Sequence, residues 1–310
     1  MKITIVTSSY KRPDLLERLG EIIIPIINKT LNTNKLLKWR IAIDGSAEKY
    51  KFILDRLGEK VINKSLFTWS EQNNIGKFRS LVKIMHEERK QSDWLLNIDD
   101  DDVLINYRFE NFLNTIENFP SNVKAILMPR LTLRSPQSYF SKASKKKLFK
   151  KYDQKMISYY DFKDKFGDID TSIFIRSKNY EFIHNNDNLN ESFTSESSLY
   201  LELFPNKDIL ILNNHLVYSQ YLAQGLTSSS IQNRISNPIS SIATYKKFLD
   251  HNLKFNLKFS LLFFKSLINY YRFNLHANLK NDKKFSNFII QFIALCIGKI
   301  MFFRDKLLIR

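Results

Sequence analysis

The chain is short of cysteine, glycine and proline. One cysteine, Cys296, in 310 residues excludes an internal disulfide and a cysteine-built metal centre. It is compatible with a reducing compartment. Seven glycines and seven prolines exclude collagen-like and low-complexity architectures. The five histidines show no metal-ligand spacing, and no internal repeat is visible. The opening "MKITIVTSSYKRPD" lacks the apolar length and small-residue cleavage site of a secretory signal. It reads as a first β-strand, so the expected location is the cytoplasm.

What is present is a globular composition with a basic bias. Hydrophobic residues make up 44% of the chain, enough to bury a core, and the formal net charge is +17. Residues 236–310 hold 13 Lys and Arg against 3 Asp, a net +10. A second basic cluster is "KASKKKLFKK" at 142–151. Such asymmetry points to an anionic partner, membrane lipid or nucleic acid. Near the C-terminus, "FSNFIIQFIALCIGKIMFF" approaches the ~20 residues of a spanning helix, yet Lys299 interrupts it and basic residues flank it. That pattern favours helices lying on an anionic membrane surface over spanning ones. Packing on the rest of the chain, or on another subunit, is the plainer alternative.

Along the first hundred residues, strand and helix signals alternate. "KITIVT" is a strand, and Pro13 opens a helix with Leu15, Leu16, Leu19, Ile22 and Ile23 in helical register. "KWRIAIDGS" is a strand ending at Asp44, and "EKYKFILDRLG" is a helix closed by Gly58. A short strand near Val61 and Ile62, the helix "GKFRSLVKIMHEERK" and the strand "DWLLNI" follow. This alternation implies an α/β fold with a mostly parallel sheet. Downstream, "NVKAILMPRLTL" and "DTSIFIRS" read as strands, residues 135–165 as a loop or mobile insertion, and "SESSLYLELF" as a short helix. From Pro238 the chain reads as helical, basic and apolar.

Ligands in such sheets bind at the carboxyl ends of the strands, and Ser8, Asp44 and Asp99 to Asp102 all fall there. "LLNIDDDDVL" ends a buried strand in four adjacent carboxylates. Asp99 and Asp101, one residue apart, can aim at one point, and oxygen-only ligands suit Mg²⁺ or Mn²⁺. The alternative is a solvated acidic turn, with Asp102 capping the helix that starts at "NYRFENFL". The spacing of an EF-hand loop is missing.

Four segments together resemble the inverting glycosyltransferases of family 2, which have the GT-A fold: "ITIVTSSYKRPDLLERL", "IAIDGS", "EQNNIGKFRSL" and "LLNIDDDDVL". Their order and spacing match over about the first 105 residues. The chain departs from the family pattern at Ser8 and Ser9, where Pro-Thr is usual, at Ile43 for the first aspartate of a pair, and at Lys77, Phe78 and Arg79. The resemblance implies that Ser8, Tyr10, Arg12, Asp44, Asn74 and Asp99 bind the donor nucleotide and that Asp101 ligates Mn²⁺ or Mg²⁺. Farther on, "FTSESSLYLEL" resembles the family's Glu-Asp motif, with Glu196 in the place of the aspartate that acts as general base. Glu191 is the fallback, and an ordinary first-turn acid is the alternative for Glu196. "VYSQYLAQGLTSS" resembles the closing segment, with Gln220, Tyr221 and Gln224 where a histidine often stands.

The expectation is a GT-A catalytic domain over 1–235, with a donor half (1–105) and an acceptor half (106–235), and a basic helical region over 236–310. The implied activity is metal-dependent, inverting transfer of a sugar from a nucleotide sugar, a UDP-sugar foremost, to a glycan or lipid-linked acceptor. Bacterial surface polysaccharide synthesis (capsule, lipopolysaccharide) is the implied setting, on the inner face of the cell membrane. The rivals are a basic nucleic-acid-binding protein, suggested by charge and 14% aromatics, and an inactive GT-A scaffold. Nucleic acid is not the expected partner, because the acidic run would repel phosphate.

Overall fold

The computed structural model describes residues 1–133, 139–180, 191–220, 229–254, 260–280 and 288–308. It falls into two compact units. The first comprises Met1–Ile157, Asp168–Ile183 and Asn206–Ala223; the second comprises Ser158–Gly167, His184–Pro205 and Gln224–Arg310.

The first unit runs β1 (Lys2–Ser9), α1 (Pro13–Thr30), β2 (Leu36–Asp44), α2 (Lys51–Lys60), β3 (Phe67–Gln72), α3 (Lys77–Glu88), β4 (Trp94–Asn97), β5 (Val103–Leu104) and α4 (Asn106–Thr115). It continues with β6 (Ala125–Pro129), β7 (Leu131–Leu133), α5 (Tyr139–Tyr152), β8 (Met156–Ile157), β9 (Thr171–Arg176), β10 (Ile209–Ile211) and β11 (Val217–Gln220). Eight strands form one sheet in the order β3-β2-β1-β4-β9-β6-β10-β8, and β5-β11-β7 form a small second sheet. In the large sheet β3, β2, β1 and β4 are mutually parallel, β9 runs antiparallel to β4 and β6, and β8 antiparallel to β10. The expected mostly parallel α/β architecture is therefore present.

Alternation along the strands sorts the helices to faces. Ile3, Ile5, Leu37, Trp39, Ile41 and Ile43 share one buried cluster with Leu16, Leu19, Ile23 and Ile27 of α1 and Leu54 and Leu57 of α2. The intervening residues Lys38 and Arg40 meet Glu88 and Glu87 of α3, so α3 covers the other face. Lys38 and Glu88 are both buried, and their ion pair at 2.6 Å satisfies two charges that would be costly alone.

Some local expectations change. Gly58 does not close α2, which runs on to Lys60 and ends where Val61 turns extended. Val61 and Ile62 form no strand; the edge strand is β3, five residues later. Its sequence "FTWSEQ" has one buried residue, Phe67, because an edge strand buries little, and so its apolar signal is thin. Residues 135–165 are not a plain loop: they contain α5, β8 and α6 (Tyr159–Phe166). Basic side chains mask the α5 periodicity, though Phe149 is fully buried. Residues 134–138 lie outside the described residues. "NVKAILMPRLTL" is two strands in two sheets, β6 and β7.

The second unit is helical: α6, α7 (Ser197–Leu203), α8 (Ser230–Ser236), α9 (Pro238–Lys254), α10 (Leu261–His276) and α11 (Phe288–Leu308). Its core joins Leu249 of α9, Leu267, Tyr270, Tyr271 and Phe273 of α10, and Ala294 of α11. Gly298 of α11 lets the α10 backbone approach closely, for a Cβ there would sit 3.0 Å from the Ile268 carbonyl oxygen and 3.2 Å from the Arg272 nitrogen.

Candidate active site at the carboxyl edge of the sheet

The strand register brings the candidate residues to one edge. Val6 of β1 lies opposite Asn97 of β4, Ser9 opposite Ile43 of β2, and Asp44 opposite Gln72 of β3. The turn carrying Asp99 to Asp102 therefore leaves β4 beside the ends of β1 and β2. Ile98 N–H still donates to the Val6 carbonyl at 3.1 Å, which fixes the start of that turn.

The four aspartates do different things. Asp99 accepts from Lys77 at 2.8 Å, and Arg130 lies 3.8 Å away. Burial would raise its pKa, but Lys77 and Arg130 outweigh that and hold the carboxyl below its usual range. Asp100 turns inward: its side chain is buried, accepts the Ser9 hydroxyl at 2.6 Å and is pushed up to about 6, chiefly by burial. Asp101 is the more exposed neighbour, 3.2 Å from Arg12. Burial and the adjacent Asp99 charge raise it. Asp102 does not cap the next helix, as the alternative reading had it. Its carboxylate accepts the Asp99 N–H at 3.1 Å and pairs with Arg130 at 2.7 Å, closing the turn on itself, while Ile105 stands at the start of α4.

The loop after β1 is built to reach this turn. Lys11 adopts a left-handed φ of 55°, an uncommon choice for a side-chain-bearing residue. The chain so turned delivers the Arg12 N–H to the Tyr50 hydroxyl at 2.7 Å. Tyr50 in turn bonds Ser9 Oγ at 3.0 Å. Since Ser9 gives its proton to Asp100, Tyr50 donates to Ser9, and a line of hydrogen bonds runs from the Arg12 backbone to the Asp100 carboxylate. From α1, Arg18 holds the Asp101 carbonyl at 3.1 Å and Gln220 of β11 at 2.7 Å.

Asp44 is 2% exposed, and its two oxygens accept the backbone N–H groups of Ile75 at 2.9 Å and Gly76 at 3.0 Å. Burial pushes its carboxyl up, against these hydrogen bonds. It thereby ties the end of β2 to the loop that carries Asn74, which is exposed, and to the start of α3, where Lys77 sits. The neighbouring Gly45 has φ +143°, and a Cβ on it would press on the Tyr10 ring at 3.2 Å. Tyr10 is 42% exposed. Ser8 is buried within β1.

Ser9, Arg12, Asp44, Lys77 and Asp99 to Asp102 thus come together in the first unit. Reading the sequence alone missed Ser9, Tyr50, Arg18 and Arg130. Arg130 directly follows β6, so the strand-end rule applied one strand farther would have found it. Tyr50 carried no such signal. In the second unit, Glu196 directly precedes α7, and one of its oxygens accepts from the Tyr200 hydroxyl at 3.4 Å. Glu191 is engaged otherwise: both its oxygens accept N–H groups of Ile239 and Ser240, at 2.9 and 2.6 Å, at the start of α9. Tyr221 and Gln224 lie outside the described residues.

Among the described residues no cluster of three or more His, Cys, Asp and Glu is arranged to hold a metal. Mg²⁺ and Mn²⁺ at phosphate-binding sites commonly take only one or two carboxylates and complete their shell with water and phosphate oxygens. Asp99 and Asp101 fit that mode: the Asp99 charge makes that of Asp101 costlier, a repulsion that a bound cation would relieve.

No protein-family model matches the sequence, and no curated protein matches it. Solved structures do. S. aureus TarS superposes with a TM-score of 0.52 at 14% identity, over 88% of this chain and 49% of its own, so this chain spans about half the length of TarS. Mannosyl-3-phosphoglycerate synthase from Rubrobacter xylanophilus gives 0.49 at 11% identity, over 84% and 77% of the two chains. The mannosyltransferase PcManGT from Pyrobaculum calidifontis, solved with GDP-Man and Mn²⁺, gives 0.48 at 10% identity, over 98% and 87%. At these identities the likeness is one of fold, the GT-A glycosyltransferase fold.

Proposed function

We propose that this protein is an inverting glycosyltransferase that moves a sugar from a nucleotide-sugar donor to a hydroxyl of a glycan or lipid-linked acceptor. The observation that carries this reading is the acidic turn after β4, set beside Arg12 and Lys77 on a GT-A-type sheet. Oxygen ligands and cationic side chains at one strand edge suit a diphosphate.

In this reading Lys77 and Arg12 exchange their carboxylate partners for donor phosphate oxygens and offset charge as the glycosidic bond breaks. A divalent cation at Asp101, with Asp99, supplies Lewis-acid neutralisation of the leaving diphosphate when bound. Asp44 acts through the backbone, holding the Asn74 to Lys77 loop in place. Tyr10, exposed beside Gly45, offers a ring to the nucleobase. Glu196 is the proposed base that removes the acceptor proton; Glu191, engaged at the start of α9, is the poorer choice. Single displacement needs one base and no enzyme nucleophile.

The deciding assay is hydrolysis and transfer across a panel of nucleotide sugars with Mn²⁺, with the anomeric configuration of the product read by NMR. Glu196→Gln is expected to bind donor normally and to lose roughly 10²–10⁴-fold in transfer. Unchanged turnover removes Glu196 from the mechanism. One observation favours a second reading, a scaffold without transfer activity: Asp99, Asp101 and Asp102 already have cationic partners. Donor binding without turnover on any sugar in the panel would establish that reading.

A further inference from the structure

The helix α11 has two faces that differ in fate. One lies on α10: Ala294 and Asp305 are fully buried, and Gly298 brings the two backbones close. The opposite face is open. Ile289, Phe292, Ile293, Ile300, Phe303 and Leu307 are 44% to 71% exposed. At 3.6 residues per turn these six fall within a sector of about 100°. Isolated exposed apolar residues are ordinary, but a continuous stripe of this kind marks a contact surface.

The charges beside the stripe identify what covers it. Lys299 and Lys306 stand along one edge and Arg304 along the other, all exposed. The only acidic residue of α11, Asp305, is buried and held by Arg272 at 2.5 Å and His276 at 3.0 Å. The open face is therefore apolar at its centre and purely cationic at its margins. Two copies set face to face would bring rows of lysines together with no acid to pair them. An anionic lipid surface complements both parts, since phosphates meet the lysines and acyl chains meet the Phe and Ile side chains. No helix among the described residues is long and apolar enough to cross a membrane, so the contact is one of lying on the surface.

We infer that the open face of α11 docks this protein on an anionic membrane surface, with Phe292, Ile300 and Phe303 inserted and Lys299 and Lys306 at headgroup level. The inference rests on the helix face and is independent of the proposed chemistry.

The test is flotation of the full-length chain with vesicles of phosphatidylcholine alone and with added phosphatidylglycerol, at low and high salt. The wild-type chain is expected to float with the anionic vesicles at low salt and less at high salt. The double variant Ile300→Asp/Phe303→Asp should lose binding roughly ten-fold or more. Lys299→Glu/Lys306→Glu should lose it on anionic vesicles by roughly ten-fold or more. All four side chains are exposed, so unchanged circular dichroism is expected. Phe292→Trp, a conservative change, provides a second readout: its emission should be quenched by brominated lipid. Failure of the wild-type chain to float at low salt overturns the inference, as does equal binding by the variants. A lipid-independent dimer that Ile300→Asp/Phe303→Asp converts to monomer in sedimentation velocity also overturns it, by showing a seam between copies.

Discussion

Neighbouring aspartates in the turn after β4 differ because their surroundings differ. Asp101 is the more exposed carboxylate and faces Arg12, while Asp100 is buried against Ser9. Asp101→Asn removes a charge at constant size and should cost transfer roughly 10²-fold, with the unfolding midpoint unchanged. Near-normal turnover would end its assignment. Asp100→Asn should act mainly on stability, because it disturbs the line from Tyr50 through Ser9. Asp44 makes a different prediction. Asp44→Ala leaves the part-buried Ile75 and Gly76 N–H groups without their carboxylate partner, at up to about 1–3 kcal/mol each. Urea denaturation should show that loss, and donor affinity should fall with it; intact stability would show that water replaces the carboxylate. The sequence pointed to Asp44 correctly as a strand-end acid, but which atoms it serves depends on a loop about thirty residues away.

At the scale of elements, the pairing of α10 with α11 is held by a buried cluster. Arg272 Nε and Nη2 reach the two Asp305 oxygens at 2.5 and 2.7 Å, His276 joins at 3.0 Å, and Arg304 lies 3.7 Å away. Removing one partner of a buried pair strands the other charge, so Asp305→Asn should destabilise the chain by about 3–5 kcal/mol. Burial alone would raise the Asp305 pKa, but the hydrogen bonds from Arg272 and His276 outweigh it and depress the value. The unfolded carboxyl titrates near 3.9. Its contribution is therefore complete above about pH 4 and is lost as pH falls through the lower folded value. Urea midpoints from pH 7 to 2.5 should show this acid-side loss in the wild-type chain and a smaller one in Asp305→Asn, where Asp99 still contributes. Parallel profiles would show that the cluster does not couple to folding. Arg272 and Asp305 lie 33 residues apart in sequence, and nothing in the local pattern pairs them.

For the molecule as a whole, net charge and site chemistry pull in different directions. A charge of +17 attracts any polyanion, whereas the sheet edge presents carboxylates to an incoming phosphate. A nucleotide sugar with Mn²⁺ binding only the folded first unit should stabilise it by about 2.7 kcal/mol at a hundred times Kd. Thermal unfolding across nucleotide sugars, with single-stranded oligonucleotides as the control, tests this. A rise with oligonucleotides and none with any sugar donor would favour the nucleic-acid reading.

Apart from the edge strand β3, the strands and helices of the first hundred residues, and the acids at the strand ends, followed from local patterns. Alternation and helical spacing are set by residues a few positions apart, and a parallel sheet sends its carboxyl ends to one edge. The edge strand β3, the helix α5 and the split between β6 and β7 did not follow, because each depends on what a distant segment covers. The composition of the C-terminal region suggested basic, apolar helices from sequence alone. Only packing decided that Gly298 and Ala294 turn toward α10, and so which apolar side chains of α11 remain exposed. The same holds at the acidic turn. Four consecutive aspartates were plain in the sequence, but their partners Arg12, Lys77 and Arg130 come from three segments far apart in the chain. Only the folded sheet brings those charges within reach and sets each carboxylate its own environment.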